Sequence, residues 1–143
     1  MNIYLDIDGT LIHEDLNKFR QPAEGLMVFL QAIRSYNLYW LTTHCMDGNR
    51  THAQAFLKSV TPEELHTRID LIKPTTWHTL KTEAIDFTKP FMWLDNDVLK
   101  EERTVLREKA IHDKQWLIEV DLVDNPARLV DITRDYFADS SQH

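Results

Sequence analysis

The segment IYLDIDGTLI, residues 3–12, constrains the fold of this chain more than any other stretch. It is an apolar run with aspartates at two alternate positions, Asp6 and Asp8, followed by Gly9 and Thr10. Alternate residues of a β-strand face the same side of the sheet, and burying an unpaired charge is costly. We therefore expect a buried strand whose carboxyl end presents both carboxylates to a partner that balances their charge.

The rest of the chain alternates between apolar segments and segments with helical periodicity. Such alternation is typical of a parallel sheet with helices on both faces. The predicted fold class is α/β, a three-layer, Rossmann-like arrangement with a mainly parallel sheet of about five strands. Strands are predicted at 2–7, 38–42, 68–72, 91–95 and 116–120, helices at 22–36, 50–59, 74–87, 98–111 and 125–137, and a short helical turn at 62–67.

Length and composition predict one globular domain. The chain has 143 residues, 43% of them hydrophobic and 27% charged, which is the size and composition of an ordinary domain. We assign 1–138 to this domain and 139–143 to a short polar tail. A net charge of −7 gives no general attraction to nucleic acid. No apolar run is long enough for a membrane span, and the lone Cys45 fits a reducing compartment, so a cytoplasmic location is expected.

Polar residues follow two other predicted strands. The strand at 38–42 ends at Thr42 and is followed by Thr43 and His44, and the strand at 91–95 ends at Asp95. Ligands of open α/β sheets bind at the carboxyl ends of the strands. We therefore expect these residues to share one site with Asp6, and a lysine nearby would complete a site for phosphate and a divalent cation.

Four motifs in this order resemble those of the haloacid dehalogenase superfamily. They are DIDGTL at 6–11, a threonine closing an apolar strand at 42, a lysine before the next site strand, and WLDND at 93–97. The first motif is the most specific, because five fixed residues arise together by chance on the order of once in a million positions. The other motifs gain weight from their order and spacing behind it.

The resemblance implies a role for each motif residue. Asp6 would be the nucleophile that forms an aspartyl phosphate, and Asp8 would be the general acid and base. Thr42 would bind a phosphoryl oxygen, and the lysine would neutralise negative charge. The implied cofactor is Mg²⁺, held by Asp6, the main-chain carbonyl of Asp8, and Asp95. The residues predicted to contact substrate are Gly9, Thr10, Thr43, His44 and Arg50.

Two positions remain open in this sequence. The motif lysine is either Lys73, which precedes a proline, or Lys81, and the wording from Lys81 to Asp95 favours Lys81 because it resembles small single-domain members of the superfamily. Asn96 stands where many members carry a second acid, and Asp97 follows it. Asn still offers an oxygen ligand, but this departure bears on metal affinity more than on the fold, and the sequence leaves open whether Asp97 supports the metal through water.

The spacing of the motifs leaves no room for a cap domain. Only 33 residues separate Asp8 from Thr42, and 38 separate Thr42 from Lys81. The resemblance to capless members implies an open site and a phosphorylated substrate, macromolecular in some relatives.

The expected function is a Mg²⁺-dependent phosphatase. A polynucleotide-end or nucleotide phosphatase is an alternative, although net charge does not favour nucleic-acid ends, and a catalytically weak metal- and phosphate-binding module is another. The oligomeric state stays undetermined.

Overall fold

A computed structural model describes residues 1–45, 47–110 and 114–137. Its main sheet has four parallel strands, which are β1 (Asn2–Leu5), β4 (Asn37–Trp40), β5 (Phe91–Asp95) and β6 (Gln115–Glu119). Their order across the sheet is β4-β1-β5-β6. The predicted α/β class with a mainly parallel sheet is confirmed, and it is consistent with a Rossmann-like fold.

Helices cover both faces of this sheet. Alternate residues of each strand point to opposite sides, so the apolar strands contribute to two hydrophobic cores. Ile3 and Leu5 belong to a core on one face that includes side chains of α1, α2, α3 and α5, whereas Tyr4 and Trp93 belong to a second core on the other face, against α4. The helices are α1 (Leu26–Ala32), α2 (Thr51–Lys58), α3 (His66–Asp70), α4 (Lys100–Lys109) and α5 (Arg128–Phe137).

The strand predicted at 68–72 is wrong, because His66–Asp70 forms α3. Leu65, Ile69 and Ile72 are buried while Leu71 is 66% exposed, and that spacing matches the period of a helix. Only Lys73 pairs with β4. Its main-chain N–H donates to Leu38 at 2.9 Å, and its carbonyl accepts from Trp40 at 2.7 Å. The expected fifth strand is thus reduced to a single bridge.

The helix predicted from Pro74 to about Phe87 is also wrong. Only a 3₁₀ turn forms there, Lys81–Ala84. The segment is rich in threonine, which is a poor helix former. The Glu83 carboxylate accepts hydrogen bonds from the main-chain N–H groups of residues 78, 79 and 80, so a side chain satisfies amides that a helix would otherwise use.

A hairpin that the sequence analysis missed follows the first motif. Its strands are β2 (Ile12–Glu14) and β3 (Arg20–Pro22), which pair antiparallel. The Asp15 carboxylate accepts the main-chain N–H groups of Asn17 and Phe19 and so closes the turn. This short polar hairpin has little of the hydrophobic alternation that predicts a strand, and it projects beside the carboxyl end of β1.

Some predictions fall outside the described residues. They include the predicted tail at 139–143, residue 138, and the end of the predicted helix 98–111 at residue 111. Within the described ranges, none of the helices has both the length and the apolar character needed to traverse a lipid bilayer.

Candidate active site

The carboxyl ends of β1 and β5 bring Asp6 and Asp95 to the same edge of the sheet. Leu5 pairs with Leu94 in the strand register, and the main-chain N–H of Asp6 donates to the Leu94 carbonyl at 3.1 Å. Asp6 is 7% exposed and Asp95 is fully buried. Two carboxylates buried this close together require a positive partner.

Lys81 provides that positive charge. Its ammonium lies 2.7 Å from Asp95 Oδ2 and 3.5 Å from Asp6 Oδ1, and its side chain is only 12% exposed. The other candidate, Lys73, instead lies 5.7 Å from the centre of the Tyr39 ring. The geometry therefore places Lys81, and not Lys73, at the carboxylates.

The electrostatics of this cluster are unbalanced without a further cation. Burial raises the pKa of Asp6 to about 7, the Asp95 carboxylate adds to the rise, and the Lys81 ammonium opposes it. Burial disfavours the charged form of Lys81, but Asp6 and Asp95 outweigh that effect and raise the pKa of its ammonium. One ammonium faces two carboxylates, so a net negative charge remains when all three groups are ionised.

Glu102, which the sequence analysis missed, holds Lys81 in place. This side chain is 2% exposed. Its Oε2 accepts the main-chain N–H of Lys81 at 2.6 Å, and its Oε1 accepts that of Leu99 at 2.9 Å. The carboxylate thereby links the start of α4 to the 3₁₀ turn that carries Lys81. Acids are common in the first turn of a helix, so no local pattern indicates that this one reaches a second segment.

Gly9 allows the chain to turn sharply after Asp8. Its φ is +77°, and a Cβ added there would lie 2.2 Å from Asn96 Nδ2, so glycine satisfies both the backbone conformation and the close approach of Asn96. Next to it, Thr10 is fully buried, and its hydroxyl donates to Asp6 Oδ2 at 3.4 Å. These two residues therefore shape the site from within the protein.

The Asn96 side-chain amide faces two oxygens of the first motif. One of the two terminal atoms of this amide lies 2.9 Å from Asp6 Oδ2 and 3.0 Å from the main-chain carbonyl oxygen of Asp8. Amide oxygen and nitrogen occupy the same space, so two orientations are equivalent in shape. With nitrogen in that position, the amide donates a hydrogen bond to each oxygen, and this is the orientation that satisfies its hydrogen bonds. With oxygen in that position, three oxygens lie next to one another.

The second orientation fits Mg²⁺. This ion takes oxygen ligands at about 2.0–2.1 Å in near-octahedral geometry, which places adjacent ligands about 2.9 Å apart. The Asn96 spacing to Asp6 and Asp8 agrees with that value. Within residues 1–45, 47–110 and 114–137, no group of three His, Cys, Asp or Glu side chains could hold a metal. A metal site here consequently depends on a main-chain carbonyl and an amide as well as a carboxylate.

Asp95, predicted as a metal ligand, has its side-chain oxygens occupied by donors. Oδ1 accepts the main-chain N–H of Asp97 at 2.9 Å, while Oδ2 accepts the Trp93 indole N–H at 3.2 Å and the Lys81 ammonium. The oxygens that a metal could use instead belong to Asp6 and the Asp8 main chain, joined by Asn96 when its amide oxygen faces them. In this geometry Asp95 anchors Lys81, and Asn96 takes the position expected of an acid.

The residues after β4 occupy different places. Thr42 is buried beside the site strands, and its hydroxyl oxygen accepts the main-chain N–H of His44 at 3.4 Å. Thr43 is exposed at the start of a 3₁₀ turn, Thr43–Cys45. His44 Nε2 lies 2.8 Å from Asp8 Oδ2. Arg50, predicted to contact substrate, instead donates to the Asp70 carbonyl at the end of α3.

A cleft of about 1050 Å³ opens from Asp8, Gly9 and Asn96. The hairpin forms one wall, and the loop after β6 forms the other. The lining mixes cations, acids and apolar side chains, among them Lys18, Arg20, Glu14, Asp121, Leu16 and Val123. Leu16 and Val123 are almost fully exposed. The cleft beside the site is therefore much larger than a single phosphate group.

Comparison with known proteins gives no match to a family model, to a curated protein or to a solved structure. The interpretation of the site therefore depends on its own residues and geometry.

Replacing Asp6 with Asn should stabilise the metal-free protein at neutral pH. The raised pKa means that folded Asp6 holds its proton more tightly than unfolded Asp6. The folded state is therefore most stable, as far as Asp6 is concerned, below about pH 4, where Asp6 is protonated. This contribution to the free energy of unfolding is lost as the pH rises through about 7. In urea unfolding with EDTA, Asp6→Asn should have a higher unfolding free energy than wild type at pH 8, and this gain should vanish by pH 4.

Asp124→Asn, at an exposed position, is the control. A variant less stable than wild type at pH 8 would contradict this account of the electrostatics.

Proposed function

We propose that this chain is a Mg²⁺-dependent phosphohydrolase of the haloacid dehalogenase superfamily, with Asp6 as its nucleophile. The observation that carries the proposal is the position of Lys81 between Asp6 and Asp95, next to the Asn96 amide, which faces Asp6 Oδ2 and the Asp8 carbonyl oxygen. A purely structural ion pair would not need a further cluster of polar groups at the mouth of an open cleft.

The first half of the proposed reaction transfers the phosphoryl group to the protein. An Asp6 carboxylate oxygen forms a bond to phosphorus while the bond from phosphorus to the ester oxygen breaks. Asp8 gives its proton to that ester oxygen, and the alcohol leaves. The products of this half are an aspartyl phosphate on Asp6 and an ionised Asp8.

The second half releases phosphate. Asp8 takes a proton from a water molecule as the water oxygen bonds to phosphorus, and the bond from Asp6 to phosphorus breaks. Inorganic phosphate leaves, Asp6 is again a carboxylate, and Asp8 again carries its proton. The partial exposure of Asp8, whose side chain is 57% exposed, suits a group that meets both the alcohol and water.

Charge balance explains the other residues. At about 4 Å and an effective dielectric near 20, two like unit charges repel by about 4 kcal/mol. Lys81 offsets part of the repulsion between Asp6 and a phosphate group, and the Thr42 hydroxyl would donate to a phosphoryl oxygen. Mg²⁺ held by Asp6, the Asp8 carbonyl and Asn96 would supply the remaining positive charge.

The substrate class is a phosphate ester that enters the open cleft, including esters on macromolecules. Lys18 and Arg20 in the cleft lining keep the polynucleotide-end and nucleotide alternatives among the substrates to be tested, although Glu14 and Asp121 share that lining. A cytoplasmic location remains a prediction of the sequence analysis.

The purified protein should hydrolyse p-nitrophenyl phosphate with Mg²⁺ and lose that activity in EDTA. Asp6→Asn should lower kcat by at least about a thousandfold, because the attacking carboxylate is gone. Release of nitrophenolate measures the rate, and circular dichroism checks folding. Wild-type turnover no faster than that of Asp6→Asn would contradict the enzyme hypothesis, and Mg²⁺ binding without turnover would favour the binding-module alternative.

The two lysines should differ strongly in their effect on rate. Lys81→Ala removes the ammonium that contacts Asp6 and Asp95 and should lower kcat/KM by about a hundredfold or more. Lys73→Ala, the matched control at an exposed position, should stay within about threefold of wild type. The same aryl phosphate assay measures both variants. Equal effects of the two substitutions would show that Lys81 has no special role.

A further inference from the structure

Within the described part of the chain, the Asp8 carboxylate is held by a single side-chain contact. His44 Nε2 lies 2.8 Å from Asp8 Oδ2, although the Asp8 side chain is 57% exposed. The other oxygen, Oδ1, accepts no hydrogen bond from any described residue. A side chain this exposed would sample several rotamers without a partner, so the contact with His44 selects one of them and distinguishes the two oxygens.

The His44 ring is itself fixed by its neighbours. It stacks on Phe56, with ring centres 4.4 Å apart and planes inclined by 22°, and it meets the edge of His52 at 5.3 Å. The Arg20 guanidinium lies 4.4 Å from the centre of the Phe56 ring, which ties α2 to the hairpin. The main-chain N–H of His44 donates to Thr42 Oγ1. The imidazole is therefore positioned from two sides and is only 17% exposed.

We infer that His44 is a positioning residue for Asp8, an inference that rests on the phosphohydrolase function proposed above. The His44 Nε2–H donates to Asp8 Oδ2 and keeps that oxygen as an acceptor. The proton that Asp8 transfers is then carried on Oδ1, the oxygen that has no hydrogen-bond partner among the described residues. This role differs from the substrate contact that the sequence predicted for His44.

The proton is accounted for in both halves of the reaction. In the first half, the proton on Oδ1 passes to the ester oxygen as the phosphorus–oxygen bond breaks, and the alcohol departs. In the second half, Oδ1 takes a proton from the attacking water. Oδ2 accepts from His44 throughout, as a carbonyl oxygen in the acid and as a carboxylate oxygen in the base. His44 neither gains nor loses a proton.

This role predicts that the effect of His44 depends on the leaving group. An alkoxide needs a proton in order to leave, whereas p-nitrophenolate is a stable anion and leaves without one. Loss of the Asp8 geometry should therefore slow the first half of the reaction selectively for alkyl phosphates, whereas any effect on the second half is the same for both esters. A general loss of structure, or of phosphate binding, would slow both kinds of ester alike.

The experiment compares kcat/KM for glycerol 2-phosphate and for p-nitrophenyl phosphate in the full chain with Mg²⁺, because this ratio reports the first half of the reaction and not the release of phosphate that both esters share. His44→Ala should lower kcat/KM for the alkyl ester by about tenfold or more and that for the aryl ester by less than about threefold, since positioned acid catalysis contributes about 10²–10⁴ when intact. His44→Gln, whose amide N–H can reach Asp8, should recover most of the alkyl-ester rate. His66→Ala on α3 is the control histidine and should match wild type with both esters.

Asp8→Asn separates the possible failures. It should show the same preference for the aryl ester as His44→Ala, but more strongly. If wild type hydrolyses neither ester, the proposed function fails and this inference fails with it. If wild type and Asp8→Asn behave as expected but His44→Ala slows both esters equally, only the role of His44 is overturned. Should His44→Ala not fold, Phe56→Leu removes the ring under His44 and should give the same selective loss, and equal losses with that variant would overturn the role as well.

Discussion

The ion pairs of Lys81 with two buried carboxylates are the interaction on which the rest of the site depends. Asp6 and Asp95 reach the same sheet edge because β1 and β5 are neighbouring parallel strands in register. Their mutual repulsion has to be offset inside the protein, since solvent is largely excluded there. The Lys81 ammonium contacts both groups, and Glu102 holds the Lys81 main chain in reach. The position of α4 is thereby coupled to the electrostatics of the sheet edge.

A net negative charge remains after this pairing, and it accounts for the polar atoms at the mouth of the site. Asp6 directs one oxygen to Lys81 and the other to Thr10 and the Asn96 amide. The Asn96 amide can act as a donor when no cation is present and as an oxygen ligand when one is bound. A residue that looks like the loss of an acid in the sequence thus still places a polar atom 2.9 Å from Asp6 Oδ2 and 3.0 Å from the Asp8 carbonyl oxygen.

Local sequence was sufficient to predict the four parallel strands and the positions of Asp6 and Asp95, whereas Lys81 was one of two candidate lysines and was favoured by the family resemblance. Buried parallel strands are continuous apolar runs, and the polar residues that follow them mark the edge where ligands bind. The segments that follow β4 along the chain were harder to predict. At 68–72, apolar residues spaced for a helix overrode a short run that resembled a strand. At 74–87, a single carboxylate, that of Glu83, satisfied the main-chain amides of residues 78–80 in place of a helix. Contacts between distant segments, such as Glu102 with Lys81 and His44 with Asp8, leave no local pattern and required the tertiary structure.

If the phosphoryl group passes through a covalent bond to Asp6, chemical trapping during turnover should capture it there. The protein would be quenched with acid during turnover of a rapidly hydrolysed phosphate ester and then reduced with borohydride, which converts an aspartyl phosphate to homoserine. Mass spectrometry of the N-terminal peptide should then find homoserine at position 6 in wild type and none in Asp6→Asn. Phosphate attached to another residue, or rapid hydrolysis with no modification at Asp6, would contradict the account.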